Sequence, residues 1–440
     1  VPGADVRAST VDALTARRLG IDGPLDRSCL ETAQMAALRA TVSWAREMGP
    51  WYRGRLAGVK PEKLRCRADL ARLPLMAGAD VAAFGQRMVC VPQSEVARIV
   101  TLQTSGSTGA PKRVHFTRED LDGTVDFFLH GMLSLVDQSD RVLALLPFSQ
   151  PDSTGDLLVR ALTGGGLRCA GFWPPGNAAG LTEFIVAGKY SCIVGLPQHL
   201  LALAGTLPTG QVRTMLLCSD YAPPALRRRI EEACGAETFL HYGATETGLG
   251  GGVECGIHDG CHVRESDLLF EIVDPVTGAL LGEGEEGEVV VTTLGRRAMP
   301  LVRYRTGDLA RLARGRCACG GVTARLCDVT GRDRVCVLGG GLSVTSRELD
   351  DSLFDLDGLV DYRASLWSAG GRDHLDIEFQ AGSGHEHLER DLGLALRRVP
   401  GVAAALQLGT LILGSMRRVD SFSPSHTLKR TIFDQRRSTP

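Results

Sequence analysis

Residues 104–112 read T-S-G-S-T-G-A-P-K and lie between two strand-like runs, E-V-A-R-I-V-T-L-Q and V-H-F-T. Small and hydroxyl-bearing residues allow backbone N–H groups to surround an anion, and a lysine adds a charge suited to phosphate. A Walker-type loop requires Lys directly after its second Gly. Here Ala110 and Pro111 separate Gly109 from Lys112, and Arg113 follows. The segment therefore predicts a phosphate-binding loop of another kind, placed at a turn between two strands.

The rest of the chain alternates strand and helix patterns. Helices are predicted over residues 26–48, 118–135 and 224–233, and strands over 141–147, 192–197, 214–218 and 238–243. This order indicates an α/β architecture with a largely parallel sheet. From about Leu268 onward, short strands joined by Gly-rich turns indicate an antiparallel subdomain or small barrel.

Length and charge limit the classes of protein. A chain of 440 residues is too long for one core, so we predict a division near residues 331–334, into residues 1–331 and 332–440. The net charge of −2 implies no bulk attraction to nucleic acid or membranes. We find no apolar run long enough to span a bilayer and no secretory pattern in the first ten residues. We therefore expect a cytoplasmic protein that binds neither.

Two further motifs suggest parts of a nucleotide site. In Y-G-A-T-E, Tyr242 offers a stacking face, Gly243 permits close backbone approach, Thr245 supplies a hydroxyl, and Glu246 supplies a hard oxygen for Mg2+. In Y-R-T-G-D, Asp308 follows a glycine and can accept both hydroxyls of a ribose diol. Each motif alone is an ordinary strand end or turn. Together with the phosphate loop they predict a nucleoside triphosphate site.

The order T-S-G-S-T-G-A-P-K, Y-G-A-T-E, Y-R-T-G-D and G-R-D-R resembles the adenylate-forming (ANL) superfamily. The segments L-P-L-M-A-G-A-D-V and A-M-P-L-V-R-Y-R-T-G-D-L-A-R-L are most similar to its phenylacetate-CoA ligase and coenzyme F390 synthetase branch. The resemblance implies a large N-terminal AMP-binding and acyl-binding domain, with mixed sheets, helices and a small β-barrel-like subdomain. It also implies a small, mobile α+β C-terminal domain.

The resemblance also implies a two-step reaction. A carboxylate attacks the α-phosphorus of ATP to form an acyl-adenylate, and a thiol, usually that of coenzyme A, displaces AMP. The implied ATP/AMP contacts are phosphate binding by the loop and α-phosphate contact by Thr245. Tyr242 would stack on adenine, with Ser219 and Asp220 near the adenine edge. Asp308 would bind the ribose, and Arg332 would support ribose or phosphate. The residues assigned to nucleotide binding are Thr104, Ser105, Gly106, Ser107, Thr108, Gly109, Lys112, Ser219, Asp220, Tyr242, Gly243, Ala244, Asp308 and Arg332.

The catalytic lysine of this superfamily lies in a C-terminal G-K-x-x-R-like segment after a proline. Here the tail reads S-F-S-P-S-H-T-L-K-R-T-I-F-D. Counting forward from Pro424 places Lys429 in the lysine position, whereas counting back from Arg430 places Thr427 there. We favour Lys429, because a cation must neutralise charge at the reacting carboxylate and phosphate. A chain with only five lysines among 49 basic residues has no other lysine in this domain.

The chain contains 13 cysteines, an odd number. In a chain without a signal peptide this favours free thiols or metal ligands over disulfides. E-C-G-I-H-D-G-C-H and C-A-C-G-G place soft ligands in two short clusters, as a closed tetrahedral Zn2+ site requires. Similar pairs occur in the phenylacetate-CoA ligase branch. We assign Cys255, His262, Cys317 and Cys319 as ligands of a structural zinc, with His258, Cys261 and Cys327 as alternatives.

The sequence is least informative about the acid. By position, residues 148–155, 196–197 and 243–244 are expected to line the acyl pocket. We expect a small-molecule carboxylic acid and coenzyme A as partners, and a homodimer is left open as the assembly. Two alternatives to an acyl- or aryl-CoA ligase remain. One is an adenylating enzyme with another acceptor, as F390 synthetases adenylate a deazaflavin. The other is a nucleotide-binding homologue that has lost the lysine.

Overall fold

The structure is a computed structural model that describes residues 9–102, 111–331, 335–382, 384–385, 387–420, 422 and 430–438. The α-helices are α1 (Val11–Leu19), α2 (Arg27–Met48), α3 (Pro50–Arg55), α4 (Gly78–Phe84), α5 (Arg118–Leu133), α6 (Thr154–Gly164), α7 (Ala178–Gly188), α8 (Pro197–Ala204), α9 (Pro224–Cys234), α10 (Ser346–Leu353), α11 (Leu388–Leu396) and α12 (Pro400–Gln407).

The strands are β1 (Arg98–Leu102), β2 (Lys112–Phe116), β3 (Arg141–Leu145), β4 (Arg168–Gly171), β5 (Cys192–Gly195), β6 (Thr214–Leu217), β7 (Glu237–Tyr242), β8 (Gly252–Glu254), β9 (Cys261–Val263), β10 (Leu268–Val273), β11 (Gly287–Thr293), β12 (Tyr304–Ala313), β13 (Arg325–Thr330), β14 (Cys336–Val337), β15 (Ser343–Val344), β16 (Leu359–Ala369), β17 (Arg372–Ala381), β18 (Leu411–Arg418) and β19 (Ile432–Asp434). The mixed α/β class predicted from the sequence is confirmed.

The chain divides into two compact units. Unit 1 comprises Val1–Trp173 and Phe239–Val329, and unit 2 comprises Pro174–Thr238 and Thr330–Pro440. Residues 174–238 thus group with the C-terminal part of the chain. The functional division at residues 331/332 stays a prediction.

Unit 1 contains the motif-bearing strands. Strands β1 and β2 pair antiparallel with Leu102 opposite Lys112, so the predicted phosphate loop connects a hairpin, as expected. Strands β3 and β4 are parallel. Strands β10, β11 and β12 form an antiparallel meander, which confirms the change of pattern near Leu268, and β7, β8, β9 and β13 are also joined by antiparallel pairs.

Helix α2 shows why the unit 1 core forms where it does. Asp26 caps the helix by accepting a hydrogen bond from the Cys29 N–H at 2.8 Å. Leu38 and Val42 then lie one turn apart on a buried face, in one hydrophobic cluster with Val291 of β11. Fully burying such side chains contributes about 1.5–3 kcal/mol each. The core therefore supports the sheet that carries Y-R-T-G-D.

Unit 2 contains the parallel pair β5–β6 and a four-stranded sheet in the order β18-β17-β16-β19. Arg430, whose side chain is 5 % exposed, connects its parts. The guanidinium donates to both carboxylate oxygens of Asp350, to Gln198 Oε1 at 3.0 Å and to the Tyr221 carbonyl at 2.7 Å. Its backbone N–H donates to Asp220 Oδ2 at 3.0 Å. One buried arginine therefore joins residues far apart in the sequence.

No helix among the described residues combines the length and apolarity needed to cross a bilayer.

The acidic groups around Arg430 lead to a prediction about pH. Burial raises the pKa of Asp350 from 3.8 to about 6, even though Arg430 acts to lower it. A carboxyl group with a raised folded-state pKa contributes stability fully below its unfolded pKa and loses it as pH rises through the folded value. Unfolding free energy should therefore fall as pH rises from about 4 to about 7, and we expect Asp350→Asn to make that fall smaller. Denaturant unfolding of the full chain at several pH values measures this slope.

Asp351→Asn is the matched control, because Asp351 lies next along α10 and is exposed. It should leave the slope as in the unsubstituted chain. Equal slopes for the chain and for Asp350→Asn would contradict the prediction.

Candidate functional site

Three sequence motifs meet at a buried charged group in unit 1. Lys112 opens β2 and is 5 % exposed, and its ammonium donates to Glu246 Oε1 at 2.5 Å and to the Tyr304 hydroxyl at 3.0 Å. Tyr304 in turn donates to Glu246 Oε1 at 2.7 Å. The predicted phosphate-binding lysine and the predicted magnesium ligand are therefore in direct contact.

The segment that carries Glu246 is a tight loop after β7. The Thr247 hydroxyl bonds the backbone of Ala244 at both its N–H and its carbonyl. A Cβ on Gly243 would lie 2.7 Å from the Leu249 carbonyl oxygen, so no side chain fits at that position. Thr245 is half-buried. Hydrogen bonds within the loop therefore hold its backbone, and the Glu246 carboxylate is bound by residues of other strands.

Tyr242 and Asp308 form a second buried pair in unit 1. The Tyr242 hydroxyl donates to Asp308 Oδ2 at 3.0 Å, and the tyrosine ring packs edge-on against Phe270. The Asp308 N–H donates to the Thr306 hydroxyl at 3.0 Å. Gly307, which lies between them, has a positive φ. The groups predicted to contact adenine and ribose are thus adjacent.

The remaining predicted nucleotide residues lie in unit 2 or outside the described residues. In unit 2, Asp220 binds the backbone of Arg430, and Ser219 has a φ of 72°. Both stay predicted adenine contacts. The assigned residues that lie outside the described residues are Thr104, Ser105, Gly106, Ser107, Thr108, Gly109, Arg332 and Lys429.

In unit 1, one polar residue of the expected acyl pocket already has partners. Asp152 bonds Arg118 Nη1 at 2.7 Å and Arg160 Nη1 at 2.6 Å. The pKa of Asp152 is lowered, and its hydrogen bonds with the Arg118 side chain are the largest cause. Its charge is therefore compensated by the protein itself.

The four predicted zinc ligands converge in unit 1. One ligand atom from each of Cys255, His262, Cys317 and Cys319 lies within 4.8 Å of the others. The Cys255 and Cys317 sulfurs are 3.9 Å apart, and Cys319 Sγ lies 3.4 Å from His262 Nε2. A tetrahedral ion with Zn–S of about 2.3 Å and Zn–N of about 2.0 Å separates such pairs by about 3.8 and 3.5 Å. The spacing fits zinc.

Neighbouring groups orient the histidine for metal binding. The Thr323 hydroxyl donates to Asp12 at 2.7 Å, so it accepts from His262 Nδ1 at 3.0 Å. That proton on Nδ1 leaves the Nε2 lone pair directed at the thiols. Burial lowers the pKa of His262 to about 4, which keeps the ring neutral. Burial raises the pKa of Cys255 to about 12, so a cation is needed to hold its thiolate.

The alternative ligands have other contacts. His258 Nδ1 lies 3.3 Å from a Glu254 oxygen, Cys261 Sγ contacts the Leu240 carbonyl, and Cys327 Sγ contacts the Asp259 carbonyl. The geometry therefore favours the four assigned residues.

Sequence reasoning did not assign roles to Tyr304, Thr323 or Asp12. Tyr304 stands at the start of Y-R-T-G-D, so its position in the motif was the available signal. Thr323 and Asp12 carry no motif, and their proximity to the thiols depends on long-range packing.

Comparison with known proteins identifies the family of the chain. The family model for the AMP-binding enzyme matches residues 68–295. The phenylacetate-coenzyme A ligase of Thermus thermophilus is 30 % identical over 376 residues, covering 81 % of this chain and 82 % of the relative. That of Pseudomonas putida is 28 % identical, covering 82 % and 84 %.

A solved structure shares the fold. The crystal structure of 2-hydroxyisobutyryl-CoA ligase in the postadenylation state matches with a TM-score of 0.77 at 22 % identity, covering 100 % of this chain and 94 % of the other. The motifs, their meeting in unit 1 and these relatives lead to one conclusion: the chain belongs to the AMP-binding enzyme family, with the phenylacetate-coenzyme A ligases as relatives over most of its length.

Proposed function

We propose that the chain is an AMP-forming acid–thiol ligase that adenylates a carboxylic acid and transfers the acyl group to coenzyme A. The observation that carries this is the contact of Lys112, Glu246 and Tyr304, because it joins a phosphate-binding lysine to a metal-binding carboxylate. Relatives named phenylacetate-coenzyme A ligase support the choice of reaction.

The residues act by positioning and charge neutralisation. Phosphate oxygens bound to Lys112 compete with Glu246 for the ammonium group. The carboxylate released in this way suits Mg2+, which is usually held by one or two carboxylates together with substrate phosphates. Bound Mg2+ supplies charge neutralisation at the phosphates. Asp308, fixed by Tyr242, accepts the ribose hydroxyls.

In the first half-reaction an acid oxygen forms a bond to the α-phosphorus, and the bond to pyrophosphate breaks. In the second, the thiol sulfur bonds the acyl carbon, its proton is lost to solvent, and AMP leaves. Lys429 is the cation proposed to neutralise the reacting carboxylate and α-phosphate. Cytoplasmic location and homodimer formation stay predictions.

The deciding experiment is ATP–pyrophosphate exchange with a panel of aromatic and aliphatic carboxylic acids, with and without coenzyme A. We expect one class of acid to stimulate exchange, and coenzyme A to convert the adenylate into thioester and AMP. Exchange without thioester would favour another acceptor. ATP binding without exchange for any acid would contradict the proposal.

Lys429→Ala tests the assignment of the catalytic cation. We expect exchange to fall at least about a hundredfold with ATP binding retained, because the change removes charge needed mainly in the transition state. Lys189→Ala serves as control, since Lys189 is a helix-capping residue of α7 outside the proposed site. Unchanged exchange in Lys429→Ala would show that this assignment is wrong.

We also propose that Cys255, His262, Cys317 and Cys319 hold a structural Zn2+. All four positions are filled by protein ligands, which leaves no open position for chemistry. Elemental analysis should find about one equivalent of zinc in the purified chain, and Cys317→Ser should lose it together with thermal stability.

Cys327→Ser is the matched control for the zinc assignment, because Cys327 lies outside the four-ligand cluster. It should keep the metal. Less than about a tenth of an equivalent in the unsubstituted chain, or equal zinc loss in Cys327→Ser, would contradict the assignment.

A further inference from the structure

Arg296 is a buried cation beneath the loop that carries Glu246. It is 8 % exposed, and its Nη1 donates to the Glu246 carbonyl oxygen at 2.8 Å. Within the part of the chain that the structure describes, this carbonyl is its only hydrogen-bond partner, and no carboxylate lies within ion-pair distance. Its guanidinium carbon lies 5.1 Å from the centre of the Phe116 ring. Arg296 is thus directed at one peptide group.

The loop is shaped to accept this guanidinium. Gly248 has a φ of 76°, and a Cβ there would lie 3.2 Å from Arg296 Nη2. The Thr124 hydroxyl donates to the Gly248 carbonyl at 2.8 Å from helix α5. The backbone of Glu246 is therefore held by Arg296, while its carboxylate is held by Lys112 and Tyr304.

A buried guanidinium without a directly paired carboxylate has a substantial desolvation cost. Burial lowers the pKa of Arg296 to about 10, with Asp120 and Glu246 favouring its charge and Arg264 opposing it. It remains charged at neutral pH. Guanidinium is more weakly hydrated than ammonium and donates along fixed directions, which suits it to holding a carbonyl at this position.

We propose that Arg296 is a positioning residue that fixes the peptide of Glu246 and thereby sets the affinity of the nucleotide site for Mg2+. The inference rests on the proposed role of Glu246. Groups that orient a metal ligand without touching the metal typically change metal affinity or activity by about 10–100-fold when they are replaced.

The test measures ATP binding by calorimetry, once with Mg2+ in excess and once with a chelator. Arg296→Met should weaken binding about 10–100-fold with Mg2+ and leave binding in chelator unchanged. Mere loss of a positive charge predicts the opposite order, because ATP without Mg2+ is more negative. Equal weakening in both conditions, or greater weakening in chelator, would overturn the proposal.

Two further variants keep the test decisive. Arg297→Met is the matched control, since Arg297 is the adjacent, exposed arginine and its guanidinium lies over Trp44. It should bind as the unsubstituted chain does, and a loss like that of Arg296→Met would overturn the proposal. Arg296→Lys keeps the charge and a donor, should show an intermediate loss confined to Mg2+, and replaces Arg296→Met if that variant does not fold.

A double substitution separates action through Glu246 from a general effect. In a Glu246→Gln background, Arg296→Met should cause no further weakening of Mg2+-dependent binding, whereas additive losses would overturn the proposal. None of these measurements requires an acid or coenzyme A. Failure of the proposed ligase reaction therefore remains distinguishable from failure of the inference.

Discussion

The buried ion pair between Lys112 and Glu246 holds the candidate site of unit 1 together. An ammonium and a carboxylate out of water are tolerated only when they are paired and otherwise hydrogen-bonded. Tyr304 supplies the additional bond to both. Because the three residues begin or follow different strands, the hairpin β1–β2, the loop after β7 and the start of β12 must all be in register for the contact to form.

Buried arginines make several of the other polar contacts in this chain, which contains few lysines. Arg430 joins distant parts of unit 2, Arg303 pairs with Glu271 inside unit 1, and Arg296 holds a loop carbonyl. A planar guanidinium with five fixed donors can satisfy several acceptors at once, whereas an ammonium acts as a point charge. Lys112, which is buried, instead lies at the end of the predicted phosphate loop, where a point charge would suit phosphate.

Hydrogen bonds connect the cysteine–histidine cluster to the N-terminal helix α1. Asp12, in α1, accepts from the Thr323 hydroxyl and from the backbone N–H groups of Val322 and Thr323. Thr323 in turn orients His262. A metal at the four ligands would therefore connect the first helix, the β8–β9 hairpin and the segment before β13. This is the arrangement expected of a structural ion.

The local elements and the chemistry of the motifs can be predicted from the amino-acid sequence. Helix α2, the hairpin β1–β2 and the meander from Leu268 follow from short-range periodicity and turn residues, which neighbouring residues control. The order of the motifs was enough to indicate an adenylate-forming family. The convergence of the soft ligands Cys255, His262, Cys317 and Cys319 was also predicted.

Which side chains come into contact depends instead on tertiary packing. The pairing of Tyr242 with Asp308, of Asp220 with Arg430 and of Arg296 with the Glu246 carbonyl joins residues far apart in the chain. No local pattern encodes such contacts, because they arise from the packing of elements whose relative positions the whole core sets. The same reason explains why Thr323 and Asp12 carried no signal in the sequence.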